Sequence, residues 1–342
     1  MRFILPLLLL LLAACARPAD PNVTVITYAT QYAPSHPFSR ADIAWMRFVE
    51  QRSGGTLRIR PIWSGTLLSS DMSMEELRHG VADVGLITPI YVRGGSHLIR
   101  IQSGFYSGVR EIESQVALYR CIAAADPELG RELDGLQVLA VQGGLLPGII
   151  TRDRPVRSLA DLRGLRIRAP TELMTLLREL GADPVNMPMG EVYQAMAKRI
   201  IDGVVAPPDT FRALHFAEVA HYFYTLSVPR GAYPARAMGA RRWNSLTPDQ
   251  QRVLAESIPV WEAALARENR AALERGLAEA RAHGVAFTDA SPADQSRFEA
   301  LYLHDAEVNA GAMAQMGIDG LTAFQAARRS VRPDGSVACG GQ

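Results

Sequence analysis

Val23-Thr24-Val25-Ile26-Thr27-Tyr28-Ala29 sets Val23, Val25, Thr27 and Ala29 against Thr24, Ile26 and Tyr28, and this period of two reads as a strand. Gln31 to Phe38 follows with Pro34 and Pro37, so it reads as a loop. Ile43, Met46 and Val49 then recur at helical spacing until Gly54 and Gly55 stop the helix. Leu57 to Trp63 gives a second strand. Ser73, with Glu76 three residues on, predicts a capping box for a helix that ends at Gly80, and Val81 to Ile87 returns as a strand. Strand, helix, strand, helix, strand predicts an α/β sheet with crossover helices.

The alternation restarts with strands expected at Leu136 to Val141, Leu165 to Ala169 and Gly203 to Ala206. Leu173, Leu176, Leu177 and Leu180 form a helical stripe closed by Gly181. Two separated α/β blocks in 342 residues predict two lobes, because a single hydrophobic core stops growing at about 250 to 300 residues. From Thr247 the texture changes. Thr247, Pro248, Asp249 and Gln250 start a helix expected to run to about His283 with a bend at Pro259, and Ser291, Pro292 and Asp294 start another that reaches Met316. No internal repeat or biased segment is visible.

At the N-terminus, Met1 and Arg2 lead an apolar run, Phe3 to Leu12, which ends in Leu12-Ala13-Ala14-Cys15. A charged start, a short apolar core and small residues before a cysteine match the order of a bacterial lipoprotein signal. The run is too short to span a bilayer, which takes about 20 apolar residues. Residues 1–14 are therefore expected to be a cleaved signal, Cys15 the lipidated mature N-terminus that anchors the chain to a membrane outside the cytoplasm, and residues 15–21, with Pro18 and Pro21, a short tether. A plain secretory signal would export the chain equally. Past this run no apolar stretch approaches membrane-spanning length. A formal charge of +1 gives no reason to expect nucleic acid as a partner. With Cys15 lipidated, two of the three cysteines remain: Cys121 and Cys339 either pair in an oxidising compartment or stand as a core thiol and a tail thiol.

Four blocks, in order, resemble one family. They are Ala33-Pro34-Ser35-His36-Pro37 with Ser53-Gly54-Gly55-Thr56-Leu57; Met74 to Gly85; Asp161-Leu162-Arg163-Gly164-Leu165-Arg166-Ile167-Arg168-Ala169-Pro170; and Pro188 to Met196 followed by Ile201-Asp202-Gly203-Val204-Val205. The chain resembles the solute-binding receptors of tripartite ATP-independent periplasmic (TRAP) transporters, of the dicarboxylate-receptor type. The resemblance implies a two-lobed periplasmic-binding-protein fold of the α/β class, with hinge strands and a long C-terminal helix. It also implies a periplasmic location, a small organic anion in the interlobe cleft, and delivery to integral-membrane TRAP permease subunits; no cofactor or metal ligand is assigned. Residues 22–146 and 232–275 are assigned to one lobe, 147–231 and 276–330 to the other, and 331–342 to a tail. Rival roles are a lipoprotein receptor for an ABC importer or a sensor kinase; neighbouring genes for two membrane subunits or for an ATPase would discriminate.

Arg168 ends a short strand in which Leu165 and Ile167 face one way and Arg166 and Arg168 the other, and Pro170 stops the strand. Ligands of open α/β sheets bind beyond the carboxyl ends of strands, and a guanidinium grips a carboxylate with two parallel hydrogen bonds. In the family that arginine is the main carboxylate ligand. Arg166 aligns with a variable basic position and is read as solvated charge. Where the family commonly carries an Asn after its Asp and Gly, this chain has Ala206; where a second upstream Arg is frequent, it has Leu146-Pro147-Gly148; where an aromatic precedes the Glu and Tyr motif, it has Met189. With two polar grips missing, a monocarboxylate with an apolar or otherwise unusual body is favoured. Gln31, Tyr32, Thr88, Met189 and Asp209 are the other expected cleft residues, whereas Glu191 and Tyr193 are read as helix-start residues of structural value.

An exported hydrolase is the competing class. The sequence has no Gly-x-Ser-x-Gly elbow, no His-Glu-x-x-His, and no Walker or dinucleotide fingerprint. His215 and His221 are offset by six residues, which does not put both on one helical face, and no carboxylate or cysteine cluster completes a metal site. No catalytic residue is assigned.

Overall fold

The computed structural model describes residues 22–92 and 94–340. The signal, the tether and the lipidation at Cys15 lie outside the described residues. A five-stranded sheet in the order β2-β1-β3-β10-β4 and a six-stranded sheet in the order β11-β9-β5-β8-β6-β7 form the two halves of this α/β fold. In the first sheet β1 (Thr24–Ala29), β2 (Leu57–Ile62) and β3 (Val84–Leu86) are parallel, and β10 (Tyr233–Gly239) runs antiparallel between β3 and β4 (Leu136–Gln142). The second sheet is built from β5 (Gly148–Thr151), β6 (Arg166–Arg168), β7 (Asp183–Val185), β8 (Gly203–Ala206), β9 (Tyr222–Tyr224) and β11 (Ala286–Thr288), with β5 antiparallel to both β8 and β9. The chain crosses from the first sheet to the second between β4 and β5 and returns between β9 and β10.

The period of two in β1 is realised as burial: Val25 is exposed while Ile26 and Tyr28 are fully buried. They pack under α1 (Pro37–Arg52) and the long helix α2 (Pro248–Ala282), where Trp45 stacks on Trp261 at a centroid distance of 3.8 Å. The capping box expected at Thr247 and Gln250 is present, and α2 runs unbroken through the exposed Pro259. It begins against α1 and β4 and ends against the short helix Thr210–Ala213 before entering β11, so one helix touches both halves.

Several sequence expectations are corrected. The loop after β1 stops at His36, because Pro37 is the first helical residue, where its missing N–H costs nothing, and the His36 ring nitrogen accepts from the Phe38 amide. Ser73 and Glu76 form no capping box: the Glu76 carboxylate instead accepts from the Ser69 amide at 2.8 Å and the Ser69 hydroxyl at 3.1 Å. Strands β5, β7, β9, β10 and β11 have no counterpart among the sequence expectations. The helix Gly320–Ser330, expected with the second half, packs on the helix Ile112–Ala125 beside the first sheet, driven by Phe324, Ala323 and Ala327 in the core with Ile122 and Phe105.

The two readings of the remaining cysteines resolve as a disulfide between Cys121 and Cys339, 218 residues apart. The expected tail is therefore strapped down, with Val331 bridged to Val337 and the Ala338 amide donating to the Ser330 carbonyl at 2.9 Å. A cross-link closing so long a loop removes much of the conformational freedom of the unfolded chain and contributes about 2 to 4 kcal/mol. Cys339→Ser, or reduction, is expected to lower the free energy of unfolding by that amount, read as a lowered urea midpoint; an unchanged midpoint would show the strap to be energetically idle. No helix among the described residues is long and apolar enough to cross a membrane.

Candidate functional site

Arg168 lies at the carboxyl end of β6, paired in parallel with β8 and β7, and its side chain turns into the space between the two halves. It is 2% exposed. Its Nε donates to the Met187 carbonyl at 3.0 Å, its Nη2 donates to the Tyr91 hydroxyl, and its guanidinium carbon lies 5.6 Å from the centre of the Tyr91 ring. Tyr91 follows β3, so the arginine of one half is held by the other. Arg166, two residues earlier on the same strand, is exposed and pairs with Asp183 at 2.8 Å on the surface.

The cavity in front of Arg168 has a volume of about 110 Å³. Of the residues named from the sequence, Tyr32, Thr88, Met189 and Asp209 line it. Tyr32 stacks on His36 at 3.9 Å, and the Thr88 hydroxyl is occupied by the Ser70 carbonyl. Gln31 does not line it: the residue borders an adjoining opening, and its amide donates to the Ser69 carbonyl at 2.9 Å. Val205, Pro207, Leu173 and Val228 supply apolar wall.

Among the polar groups of the cavity that escape the sequence reading are Arg230, Glu172 and Tyr91. Arg230 comes from the return crossing to the first sheet, and its guanidinium lies so close to Gly144 of the outward crossing that a Cβ there would meet it at 2.5 Å. A second guanidinium is thus present, supplied by the return crossing where the sequence reading expected none. Glu172, two residues after Pro170, is half-buried as a residue, yet its Oε2 is closed off from water and has no hydrogen-bond partner. Burial pushes its carboxyl up to about 7, against the opposing fields of Arg168, Arg230 and Arg100. Burial likewise raises Asp209 to about 6, opposed by Arg230. Neither residue belongs to a sequence motif of its own.

The sign of the resulting pH dependence follows from linkage. A carboxyl with a folded pKa near 7, against an ordinary value of 4.5, contributes stability that is complete below 4.5 and lost as pH rises through 7. Asp209 acts in the same direction over a lower window. Glu172→Gln removes the first contribution, so the ligand-free variant is expected to gain on wild type by on the order of 2 kcal/mol between pH 4.5 and 8. Thermal melts across that range test this; parallel curves would mean that Glu172 does not titrate in the folded chain.

With this geometry established, the comparisons with known proteins become specific. The model of the bacterial extracellular solute-binding protein family 7 matches residues 28–305. The chain belongs to this family. Its members are solute-binding receptors of the TRAP type, not enzymes, and they are periplasmic. Among curated relatives, the 2,3-diketo-L-gulonate-binding periplasmic protein YiaO of Escherichia coli (strain K12) is 26% identical over 223 residues, 61% of this chain and 64% of its own. A solute-binding protein of Albidiferax ferrireducens is 25% identical over 177 residues, 50% of this chain and 51% of its own. The matched stretch thus spans between half and two thirds of these relatives. Among solved structures, the TRAP solute-binding protein of Rhodoferax ferrireducens T118, in complex with copurified benzoate, superposes with a TM-score of 0.82 at 22% identity, covering 90% of this chain and 97% of its own. A marine-metagenome TRAP solute-binding protein specific for aromatic acid ligands gives 0.79 at 20% identity, covering 90% of this chain and 97% of its own. At these identities the likeness establishes the two-lobed fold.

Proposed function

We propose that this TRAP receptor captures a small organic monocarboxylate with an apolar body, binds it through Arg168, and delivers it to a membrane permease. The observation that carries the reading is a guanidinium buried at the carboxyl end of a strand, held from the opposite half, in a cavity whose walls are otherwise largely apolar. Size argues in the same direction. The space beside the guanidinium, about 110 Å³, is near the roughly 150 Å³ that accommodates a benzene-sized body, and an opening of about 530 Å³ that shares Tyr32, Thr88, Tyr91 and Met189 with it adjoins it. Benzoate and aromatic acids in two neighbours of the same fold agree with that scale.

Capture becomes transport through differential binding: an anion that touches Arg168 on one half and Tyr32 or Thr88 on the other favours the closed arrangement, which the permease then recognises. The crossings at 143–147 and 225–232 are the segments about which closure would turn. Cys15 would tether the receptor to the membrane, and loss of lipid labelling in Cys15→Ala would support that anchor, whereas unchanged labelling would remove it.

Native mass spectrometry of the purified chain is expected to show a co-purifying acid of single-ring size. A thermal-shift panel of acids gives the second readout. Stabilisation by dicarboxylates and uronic acids alone would overturn the monocarboxylate reading.

A further inference from the structure

Asp209 is 4% exposed, lines the same cavity as Arg168, and leaves its Oδ1 without a hydrogen-bond donor. The neighbouring donors leave that oxygen unserved, including Arg275, which borders Asp209 from an adjoining opening and whose Nη2 is itself without a partner. The Thr210 hydroxyl donates to the Pro207 carbonyl at 2.6 Å, the Asn269 amide to the Leu265 carbonyl at 2.7 Å, and Arg168 to Met187 and Tyr91. Nor does Asp209 cap the short helix that follows it, whose N-terminal amides receive no side-chain bond.

The backbone that carries the carboxylate is pinned. Gly276 of α2 packs so closely that a Cβ there would lie 2.2 Å from the Pro208 carbonyl oxygen and 2.6 Å from the Asp209 Cα. Only glycine permits that approach. A buried acceptor on the wall of a ligand cavity, with no protein donor on its Oδ1, is placed to take a hydrogen from the occupant.

We propose that Asp209 selects acids that carry a hydrogen-bond donor on their body, a hydroxyl or an ammonium group, over plain acids of the same shape. The inference rests on the reading of this cavity as the acid site. Arg168 takes the carboxylate and Asp209 the donor, so the occupant is gripped at two points and oriented. Arg230 is the guanidinium whose field reaches Asp209, and it keeps the aspartate in its accepting form near neutral pH. A charge-assisted hydrogen bond formed in a buried site discriminates between matched ligands by about 10-fold to 100-fold.

Calorimetric titration of the purified chain with matched pairs tests this: benzoate against its three monohydroxylated isomers and against 3- and 4-(aminomethyl)benzoate, with propanoate against lactate as an aliphatic series. The expected result is at least one donor-bearing acid that binds wild type about 10-fold or more tighter than its plain partner. Asp209→Ala should shrink that ratio to within about threefold, and Asp209→Asn should retain part of it through its amide carbonyl. The hydroxyl and ammonium arms report which donor is preferred. If Asp209→Ala does not fold, Asp209→Ser, which removes the carboxylate but keeps a small polar group, is read in its place. Plain and donor-bearing acids that bind wild type equally, or a ratio untouched by the variant, overturn the role of Asp209 and leave the acid site standing. Failure of every acid in both series to bind overturns both.

Discussion

Arg168→Ala is expected to abolish measurable acid binding. A micromolar receptor holds its ligand with about 8 kcal/mol, and removing one member of a buried charge pair costs roughly 3 to 5 kcal/mol, because the remaining charge keeps its desolvation and loses its partner. The variant's dissociation constant therefore moves into the millimolar range, outside calorimetric detection at ordinary concentrations. The loss is specific to geometry as well as charge. Arg168 is fixed from two directions, by the Met187 carbonyl at 3.0 Å and by the Tyr91 hydroxyl, and this aims its remaining N–H groups into the cavity. Arg168→Lys restores the charge as a point donor without the planar fork and should recover only part of the affinity. Titration calorimetry with an acid that stabilises wild type supplies the check. Wild-type heat from the alanine variant would remove Arg168 from the site.

How far the sequence carries this site depends on whether the signal is local. Arg168 is legible because Leu165 and Ile167 alternate with it and Pro170 ends the strand, so both its face and its place at a strand end follow from neighbouring residues. The helix start at Thr247 is legible for the same reason. Strands β5 and β10 are not, since every residue of Gly148–Thr151 and of Tyr233–Gly239 is buried, and a strand covered on both faces shows no alternation. Pro234 further disguises β10. Glu76 misleads because the serine three residues before it, Ser73, satisfies the local rule, while the partner the structure selects, Ser69, lies seven residues before it. Arg230 and Glu172 join the cavity only through tertiary placement: one sits between Pro229 and Gly231 on a crossing with no periodicity, the other on a single turn after Pro170. Charged groups of the cavity thus include residues with the weakest local signal, as expected of side chains carried on connecting segments.

Asp42→Ala is expected to cost about 3 to 5 kcal/mol of stability. Asp42 on α1 is fully buried and accepts from Arg236 Nε at 2.9 Å and Trp261 Nε1 at 2.9 Å through one oxygen and from the Tyr28 hydroxyl through the other. Arg236, equally buried on β10, is further bound by Gln142 on β4 at 2.9 Å. One carboxylate therefore joins α1, α2, β1 and β10, and through β10 it braces the strand that leaves the Arg230 crossing. Removing it leaves a guanidinium with no counter-charge in a core where Arg236 already has one unpartnered Nη2. Burial disfavours the charged form of Arg236, and Asp42 supplies the leading opposing field. Urea unfolding should show a lowered midpoint with little change in slope. The double variant Asp42→Leu, Arg236→Met removes both charges and should recover a substantial part of the loss, since apolar groups can fill a site that an isolated charge cannot. A loss below 1 kcal/mol in the single variant, or a double variant no more stable than Asp42→Ala, would show that the four elements are held together by the packing of Trp45 and Trp261, with the ion pair a passenger.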